Sequence, residues 1–351
     1  MQNREKKMRV QENIIMSMIQ GFSASYLLYT ACELDLFDKV KDGKNLEELS
    51  CEMKVNKAVL YRIMRPLIAL EFIKKDKEQY MLLPLGERLT GDAKDSLKGF
   101  VLFCGRQCMP DWEKLYEAVK NDDVPHNLVE EKDYFKAQED NSNKFDTFNS
   151  MMSRASKNLL LDSYFDKTAN RFEKYSIIDV GGGTGEIIAK FLNYYKNSNG
   201  TILDLKHVKN TAEKSIKKYK LQDRCKFKDV DFFKDLEVNG DIFILSRILH
   251  DWDDDDAIKI LKNIQNCMEA ESKLVIIEKL LPQKIEKRYA NLFMTDLNIW
   301  AMCGGKEREI KEFKYILSEC ELEISKIYRL ENDEYVIEAK KLIREYQEGV
   351  L

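Results

Sequence analysis

Apolar positions along the chain change period twice, and the changes divide it into three stretches. In the first, "SASYLLYTACELDLFDKV" carries apolar residues at helical spacing and "NLEELSCEM" makes a short second helix. "NKAVLYRIMRPLIALEF" then sets Val59, Ile63, Leu67 and Leu70 along one face of a third. "FIKKDKEQYMLL" reads as two short strands around a charged turn. Three helices and a hairpin predict a winged helix over residues 1–100. The second stretch, 101–174, is helical and holds the aromatic and methionine clusters "MPDW", "DYF" and "FDTFNSMM". It predicts a connector whose Phe148, Met151 and Met152 could roof a site formed by the third stretch.

From Tyr175 onward strands and helices alternate. "YSIIDV", "GTILDL", "CKFKDVDFF", "DIFILSRIL" and "KLVIIEKLL" are apolar enough to be strands, with "GEIIAKFLNYY", "NTAEKSIKKYK" and "DDDDAIKILKNIQNCM" as the intervening helices. Near-continuous apolar strands joined by helices predict a parallel, Rossmann-like α/β sheet covered on both faces, in a domain over 101–351. Ligands of such sheets bind beyond the carboxyl ends of the strands.

Composition narrows the partners. A chain of 351 residues suits two domains, and 44% hydrophobic with 34% charged residues is enough to bury a sizeable core. The formal net charge of -4 gives no general attraction to nucleic acid or anionic lipid. Residues 1–100 hold 17 Lys plus Arg against 15 Asp plus Glu, and the third helix offers only Lys57, Arg62 and Arg65. That is thin for a DNA-binding winged helix, whose affinity comes largely from phosphate contacts. A protein–protein role for the module, and no nucleic-acid partner, is therefore expected. The N-terminus lacks a signal-peptide core, and no stretch reaches about 18 uninterrupted apolar residues, which predicts a cytoplasmic chain with no membrane span. The eight cysteines stand singly except for "CGRQC", which reads as two partly buried thiols, Cys104 and Cys108, on one helix face.

The turn after the first strand of the α/β domain is "DVGGGTGE", Asp179 to Glu186. Gly181, Gly183 and Gly185 allow a tight turn in which a ligand lies against bare backbone. Asp204 ends the second strand, where a carboxylate can accept both ribose hydroxyls, and Asp231 ends the third, where it can meet an adenine amino group while Phe232 packs on the base. No P-loop lysine is present, and nothing basic answers a triphosphate. A cationic nucleoside without phosphates fits these acids, and S-adenosylmethionine is one.

His250, one of three histidines, ends the strand "DIFILSRIL" ahead of Asp253 to Asp256. Those aspartates suit the positive end of a helix dipole and need no metal, and without a second histidine nearby no zinc site is expected. Glu278 ends the next strand at the same sheet edge, and Glu307 follows the Gly304–Gly305 turn. A carboxylate against one ring nitrogen would fix the tautomer of His250 and leave the other nitrogen free as a general base.

"VGGGTGE", "ILDLKHV", "DVDFF", "LHDWDDDDAIKILKN", "VIIEKLLP" and "GGKEREIKEF", in this order and spacing, resemble the plant-type small-molecule O-methyltransferases and their bacterial relatives. "YLLYTACELDLFDKV" through "LLPLGERL" resembles that family's N-terminal winged-helix dimerisation domain, so the resemblance covers nearly the whole chain. It implies a class I methyltransferase fold, a homodimer through the N-terminal domain, His250 as base flanked by Glu278 and Glu307, and S-adenosylmethionine as methyl donor leaving as S-adenosylhomocysteine. Asp179, Gly181, Gly183, Gly185, Asp204, Asp231 and Phe232 would hold the cofactor. Where plant members carry a cofactor-contacting lysine this chain has Ser246, with Arg247 beside it. Phe148, Met152, Met294, Asn298 and Trp300 would line the acceptor pocket of a small aromatic hydroxyl compound. Three readings stand beside it: other tailoring chemistry on the same fold, a sulfur or nitrogen acceptor, and a winged-helix regulator that senses a nucleoside.

Overall fold

In the computed structural model, which describes residues 2–130, 134–139, 142–168, 173–331 and 333–342, asparagines start two of the N-terminal helices. Asn45 caps α3 (Leu46–Met53) by accepting from the Glu48 backbone N–H at 3.0 Å, while the Glu48 side chain accepts from Asn45 N at 2.8 Å. Asn56 does the same for α4 (Lys57–Ala69), accepting from Ala58 N and Val59 N. Ahead of them run α1 (Gln2–Glu33), α2 (Leu36–Val40) and β1 (Lys44–Asn45). After them β2 (Ile73–Asp76) and β3 (Gln79–Leu82) form the expected hairpin, and β1 adds a third antiparallel strand to it.

The buried face of α4 is Leu60, Met64 and Leu67, whereas Val59 and Leu70 are each 54% exposed. Of the face expected from sequence Leu67 is buried and Ile63 packs against the core, while Leu60 and Met64 take the remaining buried places: the helix carries an apolar stripe wider than the core it meets. α1 begins far earlier than the spacing indicated. Between Glu12 and Glu33 it has no charged residue. By length and composition its Gln11–Glu33 portion would suit a membrane crossing, and Ile14, Ile15, Met18, Ile19 and Phe22 are exposed. α5 (Pro84–Glu87) and α6 (Lys98–Phe103) follow, then a π-helical turn, Cys104–Cys108. Cys108 is buried and Cys104 half-buried, as expected, and the Gln107 amide donates to Lys144 O and Thr147 Oγ1, both at 3.0 Å.

Two compact units result: Met1–Pro110 with Asn143–Met151, and Asp111–Ser142 with Met152–Leu351. Leading into the second are α7 (Met109–Glu113), α8 (Leu115–Asn121), α9 (Tyr134–Glu139), α10 (Ser142–Asn158) and α11 (Asp162–Thr168). Its sheet comprises β4 (Ser176–Val180), β5 (Asn199–Asp204), β6 (Cys225–Asp229), β7 (Gly240–Ser246), β8 (Met268–Leu281), a short β9 (Arg308–Glu309), β10 (Leu322–Arg329) and β11 (Glu334–Lys341). The strand order is β10-β11-β8-β7-β4-β5-β6, with β9 beside β8. Strands β4 to β8 pair in parallel as predicted, but β11 inserts antiparallel between β8 and β10, so the sheet is mixed.

Alternate residues of each central strand feed two cores. Ile177, Ile202 and Ile244 meet α12 (Glu186–Tyr194) and α13 (Lys209–Lys218) through Phe191, Leu192 and Ile216. Ile178, Val180, Phe243 and Leu245 face the other way, toward Leu261 and Ile264 of α14 (Asp254–Cys267) and Phe313 of α16 (Ile310–Ser318). Helix α15 (Ala290–Cys303) precedes β9. Three strand ends differ from expectation: Glu278 does not end β8 but lies inside it, three residues before Leu281. β6 stops at Asp229, so Asp231 and Phe232 lie in the loop beyond it. β7 stops at Ser246, so His250 rides a 3₁₀ turn, Leu249–Asp251, instead of ending the strand. Asp253 caps α14 by accepting from Asp256 N at 2.8 Å, and the other three aspartates occupy its first turn.

Candidate active site

At the carboxyl end of β4 the chain turns sharply, and Gly181, Gly183 and Gly185 all take positive φ, 65, 55 and 75°. Asp204, at the end of β5, pins this turn. Its Oδ2 accepts from Gly183 N and its Oδ1 from Leu205 N, both at 2.7 Å. A Cβ added at Gly183 would find no heavy atom of the described residues within 4 Å, so bare backbone faces open space beside the half-buried Asp204 carboxylate that pins it. Burial raises Asp204 above the usual carboxylate value, although the two backbone N–H groups and the nearby His207 work against that. Asp179, 1% exposed, accepts from Ile188 N at 3.3 Å; burial pushes it up to about 7.

On the neighbouring strand, Ser246 Oγ at the end of β7 is buried and has no hydrogen-bond partner among the described residues. Such orphaned polar atoms are uncommon in folded chains and suit a ligand. Arg247, also at positive φ, is committed elsewhere: its Nη2 and Nε donate to Glu334 Oε1 at 2.6 and 3.2 Å, and Nη1 to Ser156 Oγ at 3.3 Å. Asp231 accepts from Phe233 N at 3.0 Å and pairs with Lys234 at 3.3 Å. Phe232 packs near Phe233 and edge-on to Trp252.

Past Ser246 the chain climbs into the turn bearing His250, and carboxylates converge on it from two elements. Glu278 of β8 accepts from Ile248 N and Leu249 N through Oε1, each at 3.0 Å, which leaves its Oε2 3.5 Å from His250 Nδ1. Glu307 Oε1 lies 3.3 Å from the same Nδ1. Close backbone approach makes this possible: Lys306 N donates to His250 O at 2.9 Å, and a Cβ at Gly305 would sit 2.1 Å from that oxygen. Asp251 Oδ1 stands 3.5 Å from Nε2. Burial works against the imidazolium, but the charges of Glu278, Asp251 and Glu307 outweigh it and push His250 up to about 10. Burial likewise raises Glu278 to about 7.

Three supporting residues had no sequence signal of their own. Arg308, 1% exposed, donates to Leu249 O at 2.5 Å and Trp252 O at 2.8 Å and pairs with Asp254 at 3.0 Å, so it clamps the His250 turn from both sides. Asp296 accepts from Glu307 N at 2.8 Å, and Asp251 faces the second ring nitrogen. The "R" beside the predicted Glu307 was visible, but its target was not.

On α15, Asn298 accepts from Trp112 Nε1 at 2.8 Å, and Met294, one turn earlier on the same face, is 51% exposed. Trp300 lies about 200° around the helix from Asn298, so the structure does not bring it to that face. Met152 of α10 is half-buried in this unit, whereas Phe148 belongs to the other, against Phe103. Phe135 stacks on Trp252 at 5.1 Å, an aromatic contact the sequence did not pair.

A Gly-rich turn pinned by a strand-end aspartate, at the carboxyl ends of central strands in a mixed α/β sheet, is suited to hold a nucleoside. The model of the O-methyltransferase domain family matches residues 112–321, more than half the chain, and that of the O-methyltransferase dimerisation domain matches 16–92. The chain belongs to the O-methyltransferase family and is an S-adenosylmethionine-dependent enzyme of it. A phenazine O-methyltransferase of Lysobacter antibioticus is 26% identical, over 94% of this chain and 96% of its own. A phenazine-1-carboxylate N-methyltransferase of Pseudomonas aeruginosa is 24% identical, over 93% and 96%. An O-methyltransferase from neocarzinostatin biosynthesis, solved with S-adenosyl-L-homocysteine and 1,4-dihydroxy-2-naphthoic acid, shares the fold at a TM-score of 0.77 and 20% identity, over 91% of this chain and 96% of that one.

Proposed function

We propose that this enzyme methylates a hydroxyl, phenolic in character, on a small aromatic molecule, with His250 as general base. The observation that carries the reading is the convergence of Glu278 and Glu307 on Nδ1 of His250, which leaves Nε2, 3.5 Å from Asp251 Oδ1, as the nitrogen to take a substrate proton. S-adenosylmethionine, when bound, supplies an electrophilic methyl group. Asp204, the glycine turn, Asp179, Ser246 and the loop of Asp231 and Phe232 would hold it: a half-buried carboxylate beside the open side of the Gly183 turn suits ribose hydroxyls, and the orphaned Ser246 Oγ offers a further polar contact.

Removing the acceptor's proton is work for this chain's own residues. His250, at about 10, has a proton affinity matched to a phenol at about 10, so the transfer is close to thermoneutral once the imidazole is neutral. Turnover on the acceptor therefore rises with pH through neutrality, and His250→Ala loses about 10²- to 10⁴-fold together with that pH dependence. A His250→Ala enzyme with nearly full turnover would overturn the base assignment. It would instead favour a nitrogen acceptor, the chemistry named for the Pseudomonas aeruginosa relative, since an amine can attack with its own lone pair.

The cofactor assignment is tested separately, by calorimetric titration with S-adenosylmethionine and S-adenosylhomocysteine. Binding that falls by about 10-fold or more in Asp204→Ala supports it, since hydrogen bonds to charged groups contribute about 1.5–3 kcal/mol; no binding to the native enzyme would refute it.

The N-terminal unit, a winged helix by its order of helices and strands, acts in this reading as a homodimer contact in a cytoplasmic enzyme. Its exposed Ile14, Ile15, Met18, Ile19 and Phe22 supply the apolar surface a second copy would cover. Met152, Met294 and Asn298 would line the acceptor pocket.

A further inference from the structure

The sequence offered no second histidine near His250, yet the fold gives the imidazole two carboxylates where a metal site would have them. Ligand atoms of His250, Glu278 and Glu307 all lie within 4.8 Å of one another. The Nδ1···O separations, 3.3 and 3.5 Å, are long for hydrogen bonds, whose N···O distances run about 2.7–3.2 Å. They match a different figure. Zinc–nitrogen and zinc–oxygen bonds of about 2.0–2.1 Å at tetrahedral angles place neighbouring ligand atoms about 3.3–3.4 Å apart.

The surroundings complete the pattern. A single Nδ1–H can serve one carboxylate well, and here two compete for it. Glu278 Oε2 and Glu307 Oε2 are buried with no hydrogen-bond partner among the described residues, on side chains 0 and 1% exposed. Glu278 is oriented by Ile248 N and Leu249 N, and Glu307 by the bond from its backbone N–H to Asp296. On the far side of the ring Asp251 Oδ1 faces Nε2 at 3.5 Å, the outer carboxylate that metal-bound histidines usually have.

We propose that His250, Glu278 and Glu307 form a binding site for one divalent transition-metal ion of the zinc type. An imidazole among the ligands favours zinc, cobalt or nickel over magnesium and calcium, which take oxygen. The ion takes the place of the Nδ1 proton, which leaves to solvent; one metal–nitrogen and two metal–oxygen bonds form, with no change of oxidation state. The remaining N–H then lies on Nε2 and points to Asp251. Resting on the proposed function, metal occupancy and base catalysis exclude one another, so the ion is an inhibitor of methyl transfer and not its cofactor.

The test uses cobalt(II), whose visible ligand-field absorption reports its coordination. The full-length enzyme is stripped with a chelator, desalted and titrated with Co²⁺, then with Zn²⁺. One equivalent should give a visible band that Zn²⁺ abolishes; Glu307→Gln should remove the band, and Asp251→Asn should weaken binding about 10- to 100-fold. No band in the native enzyme, or the same band in Glu307→Gln, would overturn the proposal, the latter by placing the ion on the thiols. S-adenosylmethionine calorimetry on each variant reports folding and keeps the two readings apart. Cofactor binding without a cobalt band sinks the metal site alone, and a cobalt band without cofactor binding sinks the methyl-transfer reading alone.

Discussion

Arg308→Met asks whether one buried cation holds the turn that carries His250. The guanidinium donates to the carbonyls of Leu249 and Trp252, which bracket His250 and Asp251, and pairs with Asp254 at the start of α14. Methionine fills similar volume, so the loss is one of donors and not of packing. Buried Leu249 O is left with only the long 3.4 Å bond from Trp252 N, and half-buried Trp252 O loses this donor; an unmet buried carbonyl costs about 1–3 kcal/mol. Asp254 keeps Lys306 at 2.9 Å, so its share is small. The expected loss is about 3–5 kcal/mol, the range for removing one member of a buried charged cluster. Urea denaturation followed by far-ultraviolet circular dichroism reads it as a lower midpoint at unchanged slope. Arg308→Lys should recover less than half, because an ammonium cannot reproduce the fork. In the assay, kcat should fall while cofactor affinity stays near native, since the Asp204 turn is untouched. A methionine variant within about 0.5 kcal/mol of native, as for an ordinary surface change, and with unchanged kcat, would refute the clamp.

Two further outcomes are expected. Gly183→Ala should lose about 1 kcal/mol of stability, the cost of a side chain at positive φ. It should also weaken S-adenosylmethionine binding about tenfold, equivalent to about 1.4 kcal/mol, because its methyl group enters the open side of the turn; unchanged affinity in calorimetry would show that the ligand lies elsewhere. Burial raises Asp179 to about 7 from an unfolded value near 4, so the folded chain keeps a proton the unfolded chain releases. Its contribution to stability is full below about pH 4 and is lost as pH rises through about 7, by up to about 4 kcal/mol. Asp179→Asn removes that loss. The urea midpoints of native and variant should therefore diverge between pH 4 and 8, and parallel curves would count against the assignment.

What could be read from sequence followed local pattern. Strands β4 to β8 were legible because both faces of each are apolar, and His250, Glu278 and Glu307 because each lies in or just after a strand or glycine turn at the carboxyl end of the sheet. The antiparallel pair β10 and β11 was missed, since "LEISKIYR" and "EYVIEAKK" mix charged and apolar residues in the manner of strands near a sheet edge. On α4 two adjacent apolar rows competed, and only packing shows that Leu60, Met64 and Leu67 win. Arg308, Asp251 and Asp296 act through backbone groups distant in sequence, which no spacing rule reaches. Arg247 was expected at the cofactor, yet its partner, Glu334, lies on the strand the sequence did not show.

The chain passes between its two units three times, after Pro110, after Ser142 and after Met151. The short return, 143–151, puts Thr147 under the amide of Gln107, and it sets Ser150 where a Cβ at Gly99 would collide with it. A fragment ending at residue 110 would lack both, and a fragment starting there would carry a segment that belongs to the piece removed. No single junction therefore separates the modules, and recombination that exchanged one for a relative's would have to splice at several points at once. An exchange of either module would have to carry the 143–151 return with it.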